Sequence, residues 1–184
     1  IGTFGQVPPG AMTLVETADD ARLIEPADAN NLAFLTQTTL SVDDTSEIVL
    51  VLQQRFPNIV GPKGEDICYA TSNRQESVKA IAHECDLVLV IGAPNSSNSQ
   101  RLVEVAARSG TKAYLVQRAE EISLNWFDDV RTLGLTAGAS APEVLVREII
   151  DALALHFDMD EQQVTTAEET VTFKLPRELA GAAI

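Results

Sequence analysis

The chain has 184 residues, 45% of them hydrophobic, and a formal net charge of −14. This length and apolar content allow one or two small domains with a packed core. The acidity excludes nucleic acid as an expected partner, because its phosphates are bound by basic surfaces, and no apolar run reaches the roughly 18 residues that a membrane span needs.

The N-terminal residues, IGTFGQVPPG, contain no charged segment followed by an apolar run, so no signal peptide is predicted. Beyond them, apolar runs of strand length alternate with segments of helical periodicity. The predicted strands are 12–16, 31–37, 67–70, 87–91, 113–116 and 132–136. The predicted helices are 42–56, 73–84, 99–108, 122–130 and 141–157. Continuous apolar strands such as 87–91 suit a parallel sheet that is covered on both faces, so this alternation predicts an α/β fold.

Capping residues mark several of the predicted helix starts. Thr17 and Asp20 have a spacing close to that of a capping box, which predicts one more helix start directly after Thr17. Ser41 is predicted to cap the helix that follows it, and Ser140 to cap the last helix, with Pro142 in its first turn.

Glycine and proline in the segment 58–66 mark the best internal boundary of the chain. The predicted organisation is therefore two small parallel-sheet α/β units, 1–63 and 64–157, followed by an acidic C-terminal tail, 158–184. Within the tail, 171–176 is predicted either to add an edge strand or to pack on the surface.

Clusters of small polar residues or glycine follow four of the predicted strands, each directly before a helix. They are Gln37-Thr38-Thr39, Thr71-Ser72-Asn73, Asn95-Ser96-Ser97-Asn98 and Thr136 to Ser140. In a parallel sheet such turns lie at the carboxyl ends of the strands, where ligands of open α/β folds bind. Helix N-termini there favour phosphate. A single Ser, Thr or Asn is more commonly a helix cap, but four such clusters together predict a site for an anionic small molecule.

The two cysteines are too few for a disulfide scaffold and favour a reducing, cytoplasmic compartment. Cys68 is predicted at the carboxyl end of a strand, beside the second cluster. It is either a metal ligand or nucleophile at the same edge, or a small buried apolar residue. Cys85 has no polar cluster beside it and is predicted to be a packing residue. His83 and His156 have no suitably spaced partner and are predicted to be structural or solvent-facing. One cysteine alone does not hold an iron–sulfur cluster.

Five motifs span nearly the whole chain in a fixed order. They are GTFGQ at 2–6, TQTTLSVDDT at 36–45, DICYATSNRQ at 66–75, NSSNSQRLVE at 95–104 and TAGASAP at 136–142. In sequence and order they resemble the 4-hydroxy-3-methylbut-2-enyl diphosphate reductase family. The resemblance implies three similar α/β units around a central cavity with a 4Fe-4S cluster, of which this chain would supply the second and third. It also implies an oxidoreductase of the non-mevalonate isoprenoid pathway that removes an allylic hydroxyl to give isopentenyl and dimethylallyl diphosphates.

The resemblance also implies roles for residues of the polar clusters. Cys68 would be one of three cysteine ligands of the cluster, and Thr38 would contact the hydroxyl side of the substrate. The implied diphosphate-binding residues are Ser96, Ser97, Asn98 and Ser140. The implied surrounding residues are Gln37, Thr39 and Thr71.

One part of the family pattern has no counterpart in this sequence. The first unit, with two cluster cysteines and diphosphate-binding histidines, and the proton-relay glutamate are expected upstream of Ile1. The 184 residues alone are therefore expected to be inactive, whether the sequence reflects proteolysis or a split gene. The implied partners are a diphosphate substrate, a ferredoxin- or flavodoxin-type electron donor and the N-terminal domain, and the implied compartments are a bacterial cytosol or a plastid. The alternative is a non-redox α/β module that binds a phosphorylated metabolite.

Overall fold

The computed structural model describes residues 2–64, 66–168 and 170–172. The strand Leu87–Ile91, labelled β1, is the central strand of a three-stranded parallel sheet. All five of its residues are buried. It pairs with the strand Lys112–Val116 (β2) on one side and the strand Leu133–Ala137 (β3) on the other, so the strand order is β2-β1-β3. The strands are β1 (Leu87–Ile91), β2 (Lys112–Val116) and β3 (Leu133–Ala137). The helices are α1 (Ala18–Leu23), α2 (Val42–Arg55), α3 (Tyr69–Ala82), α4 (Ser97–Arg108) and α5 (Glu143–Ala154).

The helices cover both faces of this sheet, as the apolar strand predicted. On one face, Val78 of α3 and Leu102 of α4 pack against Val88 and Val90. On the other, side chains of α5, among them Ile149, pack against the remaining strand residues. In a parallel α/β fold the helices run antiparallel to the strands. The N-termini of α3 and α4 therefore lie at the carboxyl edge of the sheet. The predicted α/β class is confirmed.

The predicted strands in the first third of the chain are wrong. Residues 12–16 form no strand, and 31–37 are reduced to one parallel bridge between Ala33 and Val60. A strand needs a neighbour for its backbone N–H and C=O groups. The described residues supply such a neighbour only around Val60, whose backbone bonds Leu32 and Phe34 at 2.9 Å each. Division of the chain into units at 1–63 and 64–157 stays a prediction.

α3 begins earlier than predicted, and the strand predicted over 67–70 is wrong. Cys68 is the N-cap of α3. The buried residues of this helix are Thr71, Gln75, Val78 and Ala82. They recur at helical spacing, and this spacing extends the helix through the polar cluster that was predicted as a strand-to-helix turn.

Two further predictions fail in the second half of the chain. The helix predicted over 122–130 is replaced by short 3-10 turns at Ala119–Glu121 and Leu124–Phe127. Side-chain packing attaches this segment to the sheet: the ring of Trp126 stacks on that of Tyr114 in β2, with 4.1 Å between the ring centroids. Ser140 does not cap α5, because the chain turns at that point and Pro142 takes the N-cap position.

The tail after α5 passes from one helix-covered face of the sheet to the other. Glu161 pairs with Arg147 of α5 at 3.2 Å, and Thr166 Oγ1 lies 2.5 Å from Ser77 Oγ of α3. Val171 and Thr172 form no strand, and the rest of the predicted segment 171–176 lies outside the described residues. None of the helices in the described ranges is long and apolar enough to cross a membrane.

Candidate anion-binding and cysteine site

Two glycines let α4 approach the carboxyl edge of the sheet closely. Gly92 directly follows β1 and Gly138 directly follows β3. A Cβ built on either glycine would lie about 2 Å from Ser99 Oγ, 2.1 Å for Gly92 and 2.2 Å for Gly138. Ser99 is 1% exposed, so it occupies the space that these two side chains would need. The N-terminus of α4 is therefore in contact with the ends of two strands.

The first turn of α4 carries a buried polar side chain without a partner. Ser96 is the N-cap, and its Oγ accepts hydrogen bonds from Ser99 N at 3.3 Å and Ser99 Oγ at 3.1 Å. Ser97 is exposed, whereas Asn98 is only 7% exposed and neither its Oδ1 nor its Nδ2 has a hydrogen-bond partner. An unpaired buried amide is costly and rare in native proteins. Together with the positive end of the helix dipole, it indicates a site for an anion.

Cys68 and Thr38 meet at the N-terminus of α3. The backbone N–H of Cys68 donates to the Thr38 carbonyl oxygen at 3.1 Å. The carbonyl oxygen of Cys68 accepts from the N–H groups of Thr71 and Ser72, at 2.8 and 3.0 Å. Its half-buried thiol makes no capping hydrogen bond and no disulfide. The backbone of this cysteine is thus fixed while its sulfur remains free for chemistry.

Gln75 joins the Thr38 segment to α3. Its Nε2 donates to the Leu40 carbonyl oxygen at 2.9 Å, and its Oε1 accepts from Val42 N at 3.0 Å. The side chain is fully buried. Because both bonds are made out of contact with water, Gln75 sets the position of the segment that runs from Thr38 to the start of α2.

Arg74 joins α3 to the end of β3, because its Nη1 donates to the Ala137 carbonyl oxygen at 3.0 Å. The carboxyl edge of the sheet therefore lies beside the N-terminal half of α3. Sequence reasoning missed Arg74, Gln75 and Ser99 as residues of this site. Arg74 and Gln75 lie within one of the five motifs, but only tertiary contacts reveal that they bridge separate segments.

The predicted site residues fall into two groups. One group surrounds Cys68: Gln37 and Thr38 are exposed, Thr39 is half-buried, and Thr71 is 3% exposed in the first turn of α3. The other lies at the start of α4 and after β3: Ser96, Ser97, Asn98 and the exposed Ser140. Arg74 links the two groups, because it lies on α3 and bonds the residue just before Gly138.

The described residues do not form a complete metal site. No group of three or more His, Cys, Asp or Glu side chains within them is placed to hold a metal ion. Cys68 fits one position of a cluster, as a free thiol at a helix N-terminus, and no more than one. Cys85 packs against the α3–α4 core, where burial, and then the charges of Glu84 and Asp86, raise the pKa of its thiol. That environment is typical of a structural cysteine.

Comparison with known proteins agrees with the five motifs. A model of the LytB protein family matches residues 1–154. The chain belongs to the LytB protein family. It is 60% identical over 182 residues to the 4-hydroxy-3-methylbut-2-enyl diphosphate reductase of Hyphomonas neptunium, covering 98% of this chain and 58% of that protein. It is 59% identical over 180 residues to reductase 2 of Rhodopseudomonas palustris, covering 97% and 56%.

The fold of this LytB chain also matches a solved structure. The E-1-hydroxy-2-methyl-but-2-enyl-4-diphosphate reductase from Plasmodium falciparum superposes with a TM-score of 0.86 at 32% identity, covering 92% of this chain and 54% of that one. The predicted family is thus confirmed in sequence and in fold. The chain spans little more than half the length of these relatives.

Replacing Gly138 by alanine is expected to destabilise the fold by about 2 kcal/mol, because the new Cβ overlaps Ser99 Oγ. In a Gly138→Ala/Ser99→Ala double variant the overlapping oxygen is gone and the nearest Ser99 atom is 3.4 Å away, so much of the loss should return. Gly92→Ala is the matched control, because its Cβ would still lie 2.6 Å from Ser99 Cβ. Urea unfolding in a double-mutant cycle measures the coupling. Equal rescue of both glycine variants would contradict this packing.

Gln75→Leu is expected to cost about 3 kcal/mol of stability, since it leaves the Leu40 carbonyl and the Val42 N–H buried without partners. Gln53→Leu, at an exposed position of α2, is the control and should change stability by less than about 0.5 kcal/mol. Urea unfolding of both variants measures the difference. Equal stabilities would show that the two hydrogen bonds contribute little.

Proposed function

We propose that the full-length protein is a 4-hydroxy-3-methylbut-2-enyl diphosphate reductase, and that this chain supplies part of its substrate and cluster site. The observation that carries the proposal is the buried amide of Asn98, unpaired at the N-terminus of α4. A diphosphate would supply the hydrogen-bond acceptor that Asn98 Nδ2 lacks, and its negative charge would face the positive end of the helix dipole. Family membership and the 60% identical reductase of Hyphomonas neptunium support the same conclusion.

In this proposal the diphosphate is bound mainly by neutral donors. The free N–H groups at the start of α4 and the side chains of Ser97, Asn98 and Ser140 supply them. The Ser96 oxygen accepts two hydrogen bonds from Ser99, so its own O–H is left to donate to the ligand. Such donors hold an anion without adding charge that must be desolvated. They orient the substrate so that its reacting end faces the other half of the site.

The reacting end would lie at the Thr38 and Cys68 side of the carboxyl edge. Cys68 supplies one thiolate of a 4Fe-4S cluster, and the Thr38 hydroxyl faces the alcohol of the substrate, with Gln37, Thr39 and Thr71 around them. When bound, such a cluster supplies electrons and a Lewis-acidic iron for removal of the hydroxyl. The hydrogen bond from Cys68 N to the Thr38 carbonyl oxygen holds the backbones of these two residues next to each other.

The remaining requirements of the reaction fall on other parts of the protein and on partners. Two further cysteines, a proton donor and an electron donor of ferredoxin or flavodoxin type complete the proposal, with isopentenyl and dimethylallyl diphosphates as products. The 184 residues alone are therefore expected to show no reductase activity. A cytoplasmic or plastid location stays a prediction.

A second candidate function is the non-redox binding of a phosphorylated metabolite. It is favoured by one observation: the described residues place a single cysteine at the site and form no group that could hold a metal. The two functions differ in whether iron is required, so one pair of variants distinguishes them.

Cys68→Ser is expected to remove or degrade the cluster in full-length protein expressed without oxygen, because it deletes a thiolate ligand. Iron content, absorbance near ~400 nm and EPR measure the loss. Cys85→Ser is the matched control and should keep its iron, since Cys85 packs in the core. A protein that holds no iron, or that is indifferent to the Cys68 change, would favour the non-redox module.

Asn98→Ala is expected to weaken binding of inorganic pyrophosphate to the full-length protein about tenfold while leaving its melting temperature equal or higher. The substitution removes ligand donors and also removes a buried amide that has no partner in the unliganded fold. Calorimetric titration and thermal unfolding measure the two effects. Asn58→Ala, at an exposed position after α2, should change neither. A loss of stability without a loss of affinity would make Asn98 a structural residue.

A further inference from the structure

Arg74 differs from the other polar residues of α3 because part of its head group is unsatisfied. Nη1 donates to the Ala137 carbonyl oxygen at 3.0 Å, whereas Nε is buried and has no hydrogen-bond partner. Within the ranges that the structure describes, none of the ion pairs involves the Arg74 guanidinium. In a chain of net charge −14, a half-buried cation without an acidic partner is unusual.

A second unsatisfied group lies at the same place. The Ala137 carbonyl belongs to the peptide that leads into Gly138, and a Cβ built on Gly138 would lie 3.7 Å from Asn98 Nδ2. Arg74 from α3 and Asn98 from α4 thus flank one peptide, and each has a buried nitrogen without a partner. Two neighbouring groups of this kind point to a ligand that satisfies them.

Arg55 shows what a purely structural arginine looks like in this chain. Its Nη1 also donates to a backbone carbonyl, that of Ala21, at 2.7 Å. Its guanidinium lies 4.8 Å from the centre of the Phe56 ring, and the residue is exposed, so its other nitrogens reach water. Arg74 makes the same kind of carbonyl bond without this compensation, so the bond alone does not account for it.

We propose that Arg74 is a positioning residue for the diphosphate, and this inference rests on the proposed function. The guanidinium holds the Ala137 carbonyl and so fixes the point where the loop to Ser140 leaves the sheet. Among the described residues no carboxylate pairs with this charge, and it lies against the same Ala137–Gly138 peptide that Asn98 approaches, where it favours an anion. Because Arg74 is on the helix that begins after Cys68, it also sets the distance between the diphosphate end and the cysteine end of the site.

The test uses the full-length protein with Arg74→Met, Arg74→Lys and, as the matched control, Arg55→Met. Calorimetric titration with inorganic pyrophosphate measures affinity, and thermal unfolding measures stability. Arg74→Met is expected to weaken pyrophosphate about tenfold, Arg74→Lys to recover part of that loss, and Arg55→Met to stay within about twofold of wild type. With substrate, KM should rise about as much as the pyrophosphate Kd, while kcat changes by less than about threefold.

The outcomes separate this inference from the function on which it rests. A wild-type protein that binds no pyrophosphate would contradict both the role of Arg74 and the proposed function. If the wild type and Arg74→Met bind pyrophosphate with equal affinity, the role of Arg74 is overturned and the proposed function still stands. Equal weakening by Arg55→Met would overturn it too, because the loss would then follow general destabilisation. If Arg74→Met does not fold, an affinity of Arg74→Lys equal to wild type overturns it.

Discussion

The buried side chain of Gln75 is the contact on which the relative placement of the site segments depends. Its two hydrogen bonds hold the backbone at Leu40 and Val42 against α3, out of contact with water. The half-exposed ion pair between Lys79 and Asp43, at 2.8 Å, joins the same two helices. Exposed pairs of this kind contribute little, whereas buried bonds are costly to break. Gln75 therefore holds the segment after Thr38 against α3 and supports the direct hydrogen bond from Cys68 N to the Thr38 carbonyl oxygen.

The other half of the site departs from ordinary packing, because it buries a polar group without a partner. Gly92 and Gly138 leave just enough room for Ser99, which brings the start of α4 against the sheet. The same close approach buries Asn98 and leaves its amide unpaired. A fold optimised for stability alone would satisfy or remove that group. In the proposed function, the anion is the partner that Nδ2 of this amide lacks.

α3 is the physical connection between these two halves. Cys68 precedes its first turn, Gln75 bonds the segment after Thr38, and Arg74 bonds the end of β3. Because a helix is stiff along its axis, contacts made by residues six and seven positions after Cys68 keep the separation between the two ends of the site constant. In the proposed function, a substrate bound at one end would thereby be presented in a defined position at the other.

Local sequence patterns were enough to predict the α/β class, the central strand Leu87–Ile91 and the starts of α1 and α2, because these depend on periodicity and on capping residues such as Thr17 and Ser41. The same patterns indicated the polar clusters and the family. Long-range contacts were needed to establish that 12–16 forms no strand, that Cys68 is the N-cap of a helix and that Ser140 is not. Pairing partners, burial and hydrogen bonds such as that from Arg74 to Ala137 join residues far apart in the chain, and no local pattern encodes them.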